Sequence, residues 1–159
     1  QRIIKMFRYC VWYVLKESHP IQQSVMKYAD LFHSAQFRAH ITIGHSMDEE
    51  AAYMVLKRYR NFAKPCFTPI KKPFASSVNI LNHIRSGECV FNAIEQPLAV
   101  NGVEVDDVHI SMAYRVGEPF TPMEVAHVNK VSNIDDRDIE VCMAKCFDEN
   151  PERWEILEL

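Results

Sequence analysis

The arrangement of apolar and polar positions predicts two strands and a helix in the first part of the chain. Residues 9–15 are rich in β-branched and aromatic side chains and are typical of a strand. Ser18 as an N-cap and Pro20 in the first turn predict a helix that continues to about His33, because apolar residues recur there at four-residue steps. The sharply alternating segment 39–44 predicts a second strand.

One more long helix is predicted beyond this point, followed mainly by strands. The sequence Ser46-Met47-Asp48-Glu49 matches the Ser-x-x-Glu capping box, and the helix that it opens is expected to end at Pro65. A short helix is predicted over 123–131. Two or three helices and six to eight mostly antiparallel strands favour an α+β fold. The later strands are expected at 78–81, 88–94 (stopped by Pro97), 108–116, 138–147 and 154–157.

Length, composition and charge narrow the class of protein. The 159 residues, 48% hydrophobic and 25% charged, suit one domain with a substantial core. A net charge of −3 disfavours a general binder of long duplex nucleic acid. No apolar run approaches the roughly 18 residues of a membrane span, and Gln1-Arg2-Ile3 lacks a signal-peptide pattern, so neither is expected. Five scattered cysteines without a CxxC pair predict reduced thiols and a cytoplasmic location.

The most informative feature is a tetrapeptide pattern of histidine, apolar residue, hydroxyl and apolar residue that occurs twice. It is found as His40-Ile41-Thr42-Ile43 and again as His109-Ile110-Ser111-Met112. Because side chains alternate along a strand, each histidine shares a face with the hydroxyl two residues later. A single His-x-Thr is frequent by chance, but two copies in predicted strands are far more specific. If the two strands are neighbours, two imidazoles and two hydroxyls face one cleft.

This set of side chains suits metal-independent cleavage of a phosphodiester. One imidazole takes a proton from the attacking oxygen and the other gives a proton to the leaving oxygen, and an unperturbed histidine pKa of about 6.5 suits both roles. The hydroxyls donate hydrogen bonds to the non-bridging phosphate oxygens. His45 is expected on the opposite face of the strand from His40, and no carboxylate completes a ligand set. Neither a metal nor a cofactor is therefore expected.

The paired tetrapeptides resemble the signature of the two-histidine (2H) phosphoesterases. That resemblance covers nearly the whole chain and implies two pseudo-symmetric α+β lobes of antiparallel strands, with flanking helices, around a central cleft. It implies one domain over 1–159, with a first lobe at about 9–80 and a second at about 81–159, and it leaves open whether both lobes share the final strands. His40, Thr42, His109 and Ser111 are the catalytic residues that the resemblance implies.

The same resemblance implies substrate-binding roles for two further residues. Trp12 is similar to a tryptophan near the substrate of plant and yeast 2′,3′-cyclic-nucleotide phosphodiesterases, and Tyr114 to a tyrosine that helps to bind phosphate there. In a regular strand Tyr114 faces away from His109, so its role requires a bulge or strand end near Ala113. The short segment between Ile94 and His109 resembles compact viral members of the family instead.

The expected function is therefore phosphodiesterase activity on a small nucleotide or short oligonucleotide, by a monomer. Water opens a 2′,3′-cyclic phosphate in one alternative. In the other, the free 3′-OH of a 2′,5′-linked oligonucleotide, such as 2′,5′-oligoadenylate, attacks its own phosphorus. A non-catalytic nucleotide- or RNA-binding module on the same scaffold, or a purely structural interaction domain, are the competing hypotheses.

Overall fold

The described part of the chain folds into three α-helices and nine strands, which confirms the α+β expectation. The structure is a computed structural model that describes residues 2–5, 8–81, 88–100 and 106–157. The helices are α1 (Pro20–Phe32), α2 (Glu49–Arg60) and α3 (Pro122–His127). The strands are β1 (Arg2–Lys5), β2 (Arg8–Leu15), β3 (His40–Ser46), β4 (Phe67–Pro69), β5 (Phe74–Leu81), β6 (Glu88–Val100), β7 (His109–Val116), β8 (Ile139–Cys146) and β9 (Glu155–Leu157).

The strands follow one another in the order β1-β5-β6-β7-β3-β2-β8-β9, and β4 pairs with β6. Every pairing is antiparallel except the parallel pairing of β1 with β5. Two halves, one around β2 and one around β6, meet where Ile41 of β3 pairs with Ile110 of β7. The halves do not follow a division near residue 80, because β5 pairs with β6 and the final strands β8 and β9 extend from β2.

The backbone of the two halves repeats in its register as well as in its strand order. Each half has a β-bulge at the strand that carries the histidine, and the extra residue is Ile43 in β3 and Met112 in β7. Each extra residue lies three positions after the motif histidine. A bulge reverses the alternation of side chains that follow it, so the residue five positions after each histidine turns to the histidine's own face.

The two faces of β2 separate the hydrophobic core from the cleft. Val11, Tyr13 and Leu15 belong to the main core, which also takes the buried residues of α1 and α2. Cys10 and Trp12 point to the other face and form a smaller buried cluster there. The helices therefore support the sheet from behind and leave the cleft face open. No helix in the described residues has the length and apolar character needed to cross a bilayer.

Both predicted N-caps were wrong, because a neighbouring residue takes the role. His19, not Ser18, caps α1, and its Nδ1 accepts a hydrogen bond from the backbone N–H of Ile21 at 3.1 Å. Asp48 caps α2, while Ser46 ends β3 and accepts from the N–H of Asp48. The predicted capping box is therefore absent at the start of α2.

The predicted end of a strand at Pro97 was also wrong. β6 continues to Val100, because the segment after Pro97 pairs with the short strand β4. The N–H of Leu98 donates to the carbonyl of Val108 at 2.9 Å, which holds the strand beyond the proline. Neither β4 nor β1 was predicted, and both are short strands at the margins of the sheet.

Candidate active site

The two histidines and two hydroxyls that the sequence singles out line the same cleft. His40, Thr42, His109 and Ser111 all contribute to a cavity of about 380 Å³ on the open face of the sheet. They converge because β3 and β7 are direct neighbours, joined at the residue that follows each histidine. The buried pair at this junction, Ile41 and Ile110, fixes the two motifs side by side.

His40 is buried, and its surroundings favour the neutral imidazole. The residue is only 4% exposed. Its ring stacks on that of Trp12, with 3.7 Å between the ring centroids. Nδ1 lies 2.7 Å from the carbonyl oxygen of Arg38, which can only accept, so Nδ1 carries the proton and Nε2 presents a lone pair. Burial lowers the pKa of His40 to about 4, against the opposing effect of the Arg38 hydrogen bond and with a smaller contribution from the charge of His109.

His109 is more open and contacts an acceptor at each ring nitrogen. Nδ1 lies 2.9 Å from the carbonyl oxygen of Asp107, and Nε2 lies 3.2 Å from Oε1 of Glu95. Both contacts are satisfied together only when both nitrogens carry hydrogen, which is the imidazolium form. The side chain of His109 is 37% exposed. The cleft therefore sets a neutral imidazole opposite one whose contacts suit the charged form.

Tyr114 reaches the same cleft because of the bulge at Met112. It is 7% exposed and lies beside Ser111 on the cleft lining. Burial raises the pKa of the Tyr114 phenol above its ordinary value, although a hydrogen bond with Ser111 acts in the other direction. The phenol thus stays protonated and can donate a hydrogen bond into the cleft. The bulge that its role requires lies one residue before Ala113.

Trp12 also lies in the cleft, but its contact is with His40 rather than with open space. The residue is 2% exposed, and one face of the indole is covered by the His40 imidazole. Its Nε1 is buried and has no hydrogen-bond partner among the described residues. The stacked indole is one of several rings around His40, together with those of Phe37, Tyr114 and Trp154. The half-buried Trp154, 6.0 Å from Trp12 between ring centroids, forms an adjacent part of the wall.

The prediction that His45 faces away from His40 was wrong. His45 lines the same cleft, because the bulge at Ile43 reverses the alternation of the strand after that residue. It lies five residues after His40, as Tyr114 lies five residues after His109. Burial lowers the pKa of His45, and the positive charge of Arg8 lowers it further.

The cleft residues that the sequence analysis missed include, besides His45, the side chains of Arg8, Glu95 and Trp154. Glu95 pairs with Ser111 across the β6–β7 ladder, a register that only the fold reveals. Arg8 lies on the cleft face of β2, two strand positions beyond Cys10. The alternation of β2 was the one available signal for Arg8, since it places residues 8, 10 and 12 on one face.

The cleft has the donors of acid–base chemistry but no cluster of metal ligands. Within the ranges that the structure describes, no three His, Cys, Asp or Glu residues converge in a group that could hold a metal ion. Comparisons of the sequence with protein-family models, with curated proteins and with solved structures returned no match. The geometry of the cleft and the paired motifs are therefore the guides to function.

Proposed function

We propose that this chain is a metal-independent phosphodiesterase of the two-histidine type, which cleaves a 2′-linked nucleotide phosphodiester. The candidate substrates are a 2′,5′-linked oligoadenylate and a 2′,3′-cyclic phosphate. The observation that carries the proposal is the pairing in one cleft of a neutral imidazole, His40, with an imidazole in contacts that suit its charged form, His109. General acid–base catalysis needs one group of each kind, placed on either side of the reacting phosphorus.

The two histidines take opposite roles in the proposed step. Nε2 of His40 accepts the proton of the attacking oxygen, either water or the substrate 3′-OH, as that oxygen forms its bond to phosphorus. Nε2 of His109 donates its proton to the oxygen that leaves as the old P–O bond breaks. Glu95 holds that proton-bearing nitrogen in the free protein, and the leaving oxygen takes the place of its carboxylate. His40 ends the step protonated and His109 neutral, and exchange with solvent restores both.

The hydroxyl groups stabilise the charge that the phosphate develops. Thr42 and Ser111 lie on the cleft side of β3 and β7, each two residues along the strand from its histidine. The protonated phenol of Tyr114 adds a third donor beside Ser111. Donors fixed in place before the reaction stabilise a transition state more than solvent does, because they need no reorganisation.

The proposal extends to partner and location. The cleft of about 380 Å³ suits a nucleotide or a short oligonucleotide, and the net charge of −3 does not favour long duplex nucleic acid. A monomer suffices, since His40 and His109 come from one chain. All five thiols are free, which suits a reducing compartment such as the cytoplasm.

The test offers 2′,3′-cyclic AMP, 2′,5′-linked diadenylate and 3′,5′-linked diadenylate in parallel, with EDTA present, and identifies the products. We expect turnover of at least one of the two 2′-linked substrates. His40→Ala and His109→Ala are each expected to lower the rate by about 10² to 10⁴-fold. His127→Ala, a change to an exposed histidine of α3, is the matched control.

Two results would reject the proposal. Turnover that is lost on chelation and restored by divalent ions would assign the reaction to a metal. Tight binding of these nucleotides with no turnover at any pH between 5 and 9 would favour the non-catalytic binding module.

A further inference from the structure

The cleft has a cationic end that the proposed acid–base step does not use. Arg8 of β2 and His45 of β3 both line the cleft, whereas Glu95 and His109 reach it from β6 and β7. We propose that this end binds a second phosphate of the same substrate, the 5′-phosphate of the nucleoside whose oxygen is activated by His40. This inference rests on the proposed function and specifies its substrate as a 5′-phosphorylated oligonucleotide.

The register of the strands gives the position of this end. Trp12, which stacks on His40, pairs with Thr42, while Cys10 pairs with His45. Arg8 lies four residues before Trp12 on the same face of β2, which at about 3.3 Å per residue is about 13 Å along the strand. A phosphate held between His40 and His109 is therefore separated from Arg8 by the span of a nucleoside. The two sites take two different phosphates of one ligand.

No carboxylate among the described residues pairs with Arg8, whose guanidinium instead interacts with the thiol of Cys10. Its Nε is buried without a hydrogen-bond partner, and none of the ion pairs among the described residues includes it. Its positive charge is felt by the neighbouring His45, whose pKa falls mainly through burial and further through this charge. The carboxylate on the cleft lining is that of Glu95, which contacts His109 instead.

A guanidinium without a carboxylate partner on a cleft wall fits phosphate better than other anions. Its planar fork of N–H donors matches two phosphate oxygens at once. A partly buried charge without a counter-charge is costly, and a doubly charged terminal phosphate relieves that cost when it binds. His45 lies beside the same site and is neutral near pH 7, so that it can donate one further hydrogen bond.

The proposed mechanism fixes which end of the substrate carries this phosphate. His109 gives its proton to the leaving 5′-oxygen, so the leaving nucleoside lies on the side of Glu95. The nucleoside with the attacking 3′-OH then lies on the His40 side, in the part of the cleft formed by β2 and β3, which also carries Arg8. A phosphate on the opposite end of the oligonucleotide does not reach this site.

The experiment compares three 2′,5′-linked diadenylates: one without a terminal phosphate, one with a 5′-phosphate, and one with a phosphate on the leaving nucleoside. We expect the 5′-phosphate alone to raise kcat/KM, by roughly tenfold to a hundredfold for a charge-assisted contact. Dissociation constants of the same three compounds for His40→Ala, measured by calorimetry, give a readout that does not require turnover.

Substitutions of Arg8 test whether this residue causes the preference for the 5′-phosphate. Arg8→Gln is expected to remove the preference for the 5′-phosphate while it leaves kcat/KM for the unphosphorylated compound within about twofold, and Arg8→Lys retains part of the preference. Arg58→Gln, which removes the same charge from the exposed side of α2, is the control. An equal loss on all three compounds would place Arg8 at the scissile phosphate and overturn the inference. So would a wild-type protein that cleaves all three alike or none of them, and the proposed function itself is rejected only when 2′,3′-cyclic AMP is not turned over either.

Discussion

The burial of His40 by Trp12 leads to a prediction about protonation that does not depend on the identity of the substrate. Replacing Trp12 with leucine removes the ring that stacks on the imidazole at 3.7 Å and admits water to a residue now 4% exposed. Burial is the largest cause of the depressed pKa of His40, which is about 4. In Trp12→Leu we therefore expect that pKa to rise toward the ordinary 6.5, while the exposed His127 serves as an internal reference.

The size of the effect on the free energy of unfolding follows from the pKa shift of His40. A depression from 6.5 to about 4 corresponds to about 3 kcal/mol, since one pKa unit is about 1.4 kcal/mol. Because the folded protein binds the proton less well than the unfolded chain, stability is greatest above pH 6.5 and falls as the pH is lowered toward 4. His40→Gln lacks this group, so the wild type should lose about 3 kcal/mol more than His40→Gln between pH 7 and pH 4.

Two assays check the prediction. NMR titration of ¹³C-labelled histidine follows the ring of His40 directly, and urea denaturation at a series of pH values gives the free energy of unfolding. A His40 that titrates near pH 6.5 in the unaltered protein would refute the reasoning. A pKa that stays near 4 in a folded Trp12→Leu variant would show that Trp12 is not the cause.

Three further predictions concern the rest of the cleft and its support. Glu95→Gln keeps the size of the side chain but removes the charge beside Nε2 of His109, so the rate of cleavage should fall; an unchanged rate would contradict the role of the carboxylate. Tyr114→Phe removes one donor and should lower kcat by roughly tenfold to a hundredfold in steady-state kinetics, with an unchanged rate as the adverse result. Gly44→Ala places a Cβ 3.0 Å from Cγ1 of Val55 and should lower the free energy of unfolding by about 1 to 2 kcal/mol in urea, whereas a neutral change would mean that α2 yields easily.

The sequence was sufficient for the motif residues because their placement depends on alternation over only three positions. His40 with Thr42, and His109 with Ser111, precede the bulges and therefore follow the regular pleat. The α+β class was predictable for a similar reason, since long helices and strands carry their own periodicity. The N-caps at His19 and Asp48 were not, because several neighbouring residues are able to cap and tertiary packing selects among them.

The bulges explain what the sequence could not show. His45 was assigned to the wrong face because a bulge leaves no clear signal in the apolar pattern of β3. Tyr114 was assigned to the cleft face only on the condition that a bulge or strand end lies near Ala113. Glu95 could not be found at all, since its position opposite Ser111 depends on the pairing of β6 with β7. A local sequence pattern does not predict which residues the register between strands brings together.

The repeated framework also explains how two similar motifs acquire different chemistry. Trp12 lies opposite Thr42 in one half, and Glu95 lies opposite Ser111 at the matching position of the other. An indole at this position excludes water and favours the neutral form of the neighbouring imidazole, whereas a carboxylate favours the charged form. In the proposed reaction a symmetric pair of histidines would have no fixed direction of proton transfer. We propose that the difference between tryptophan and glutamate supplies that direction, with His40 as the base and His109 as the acid.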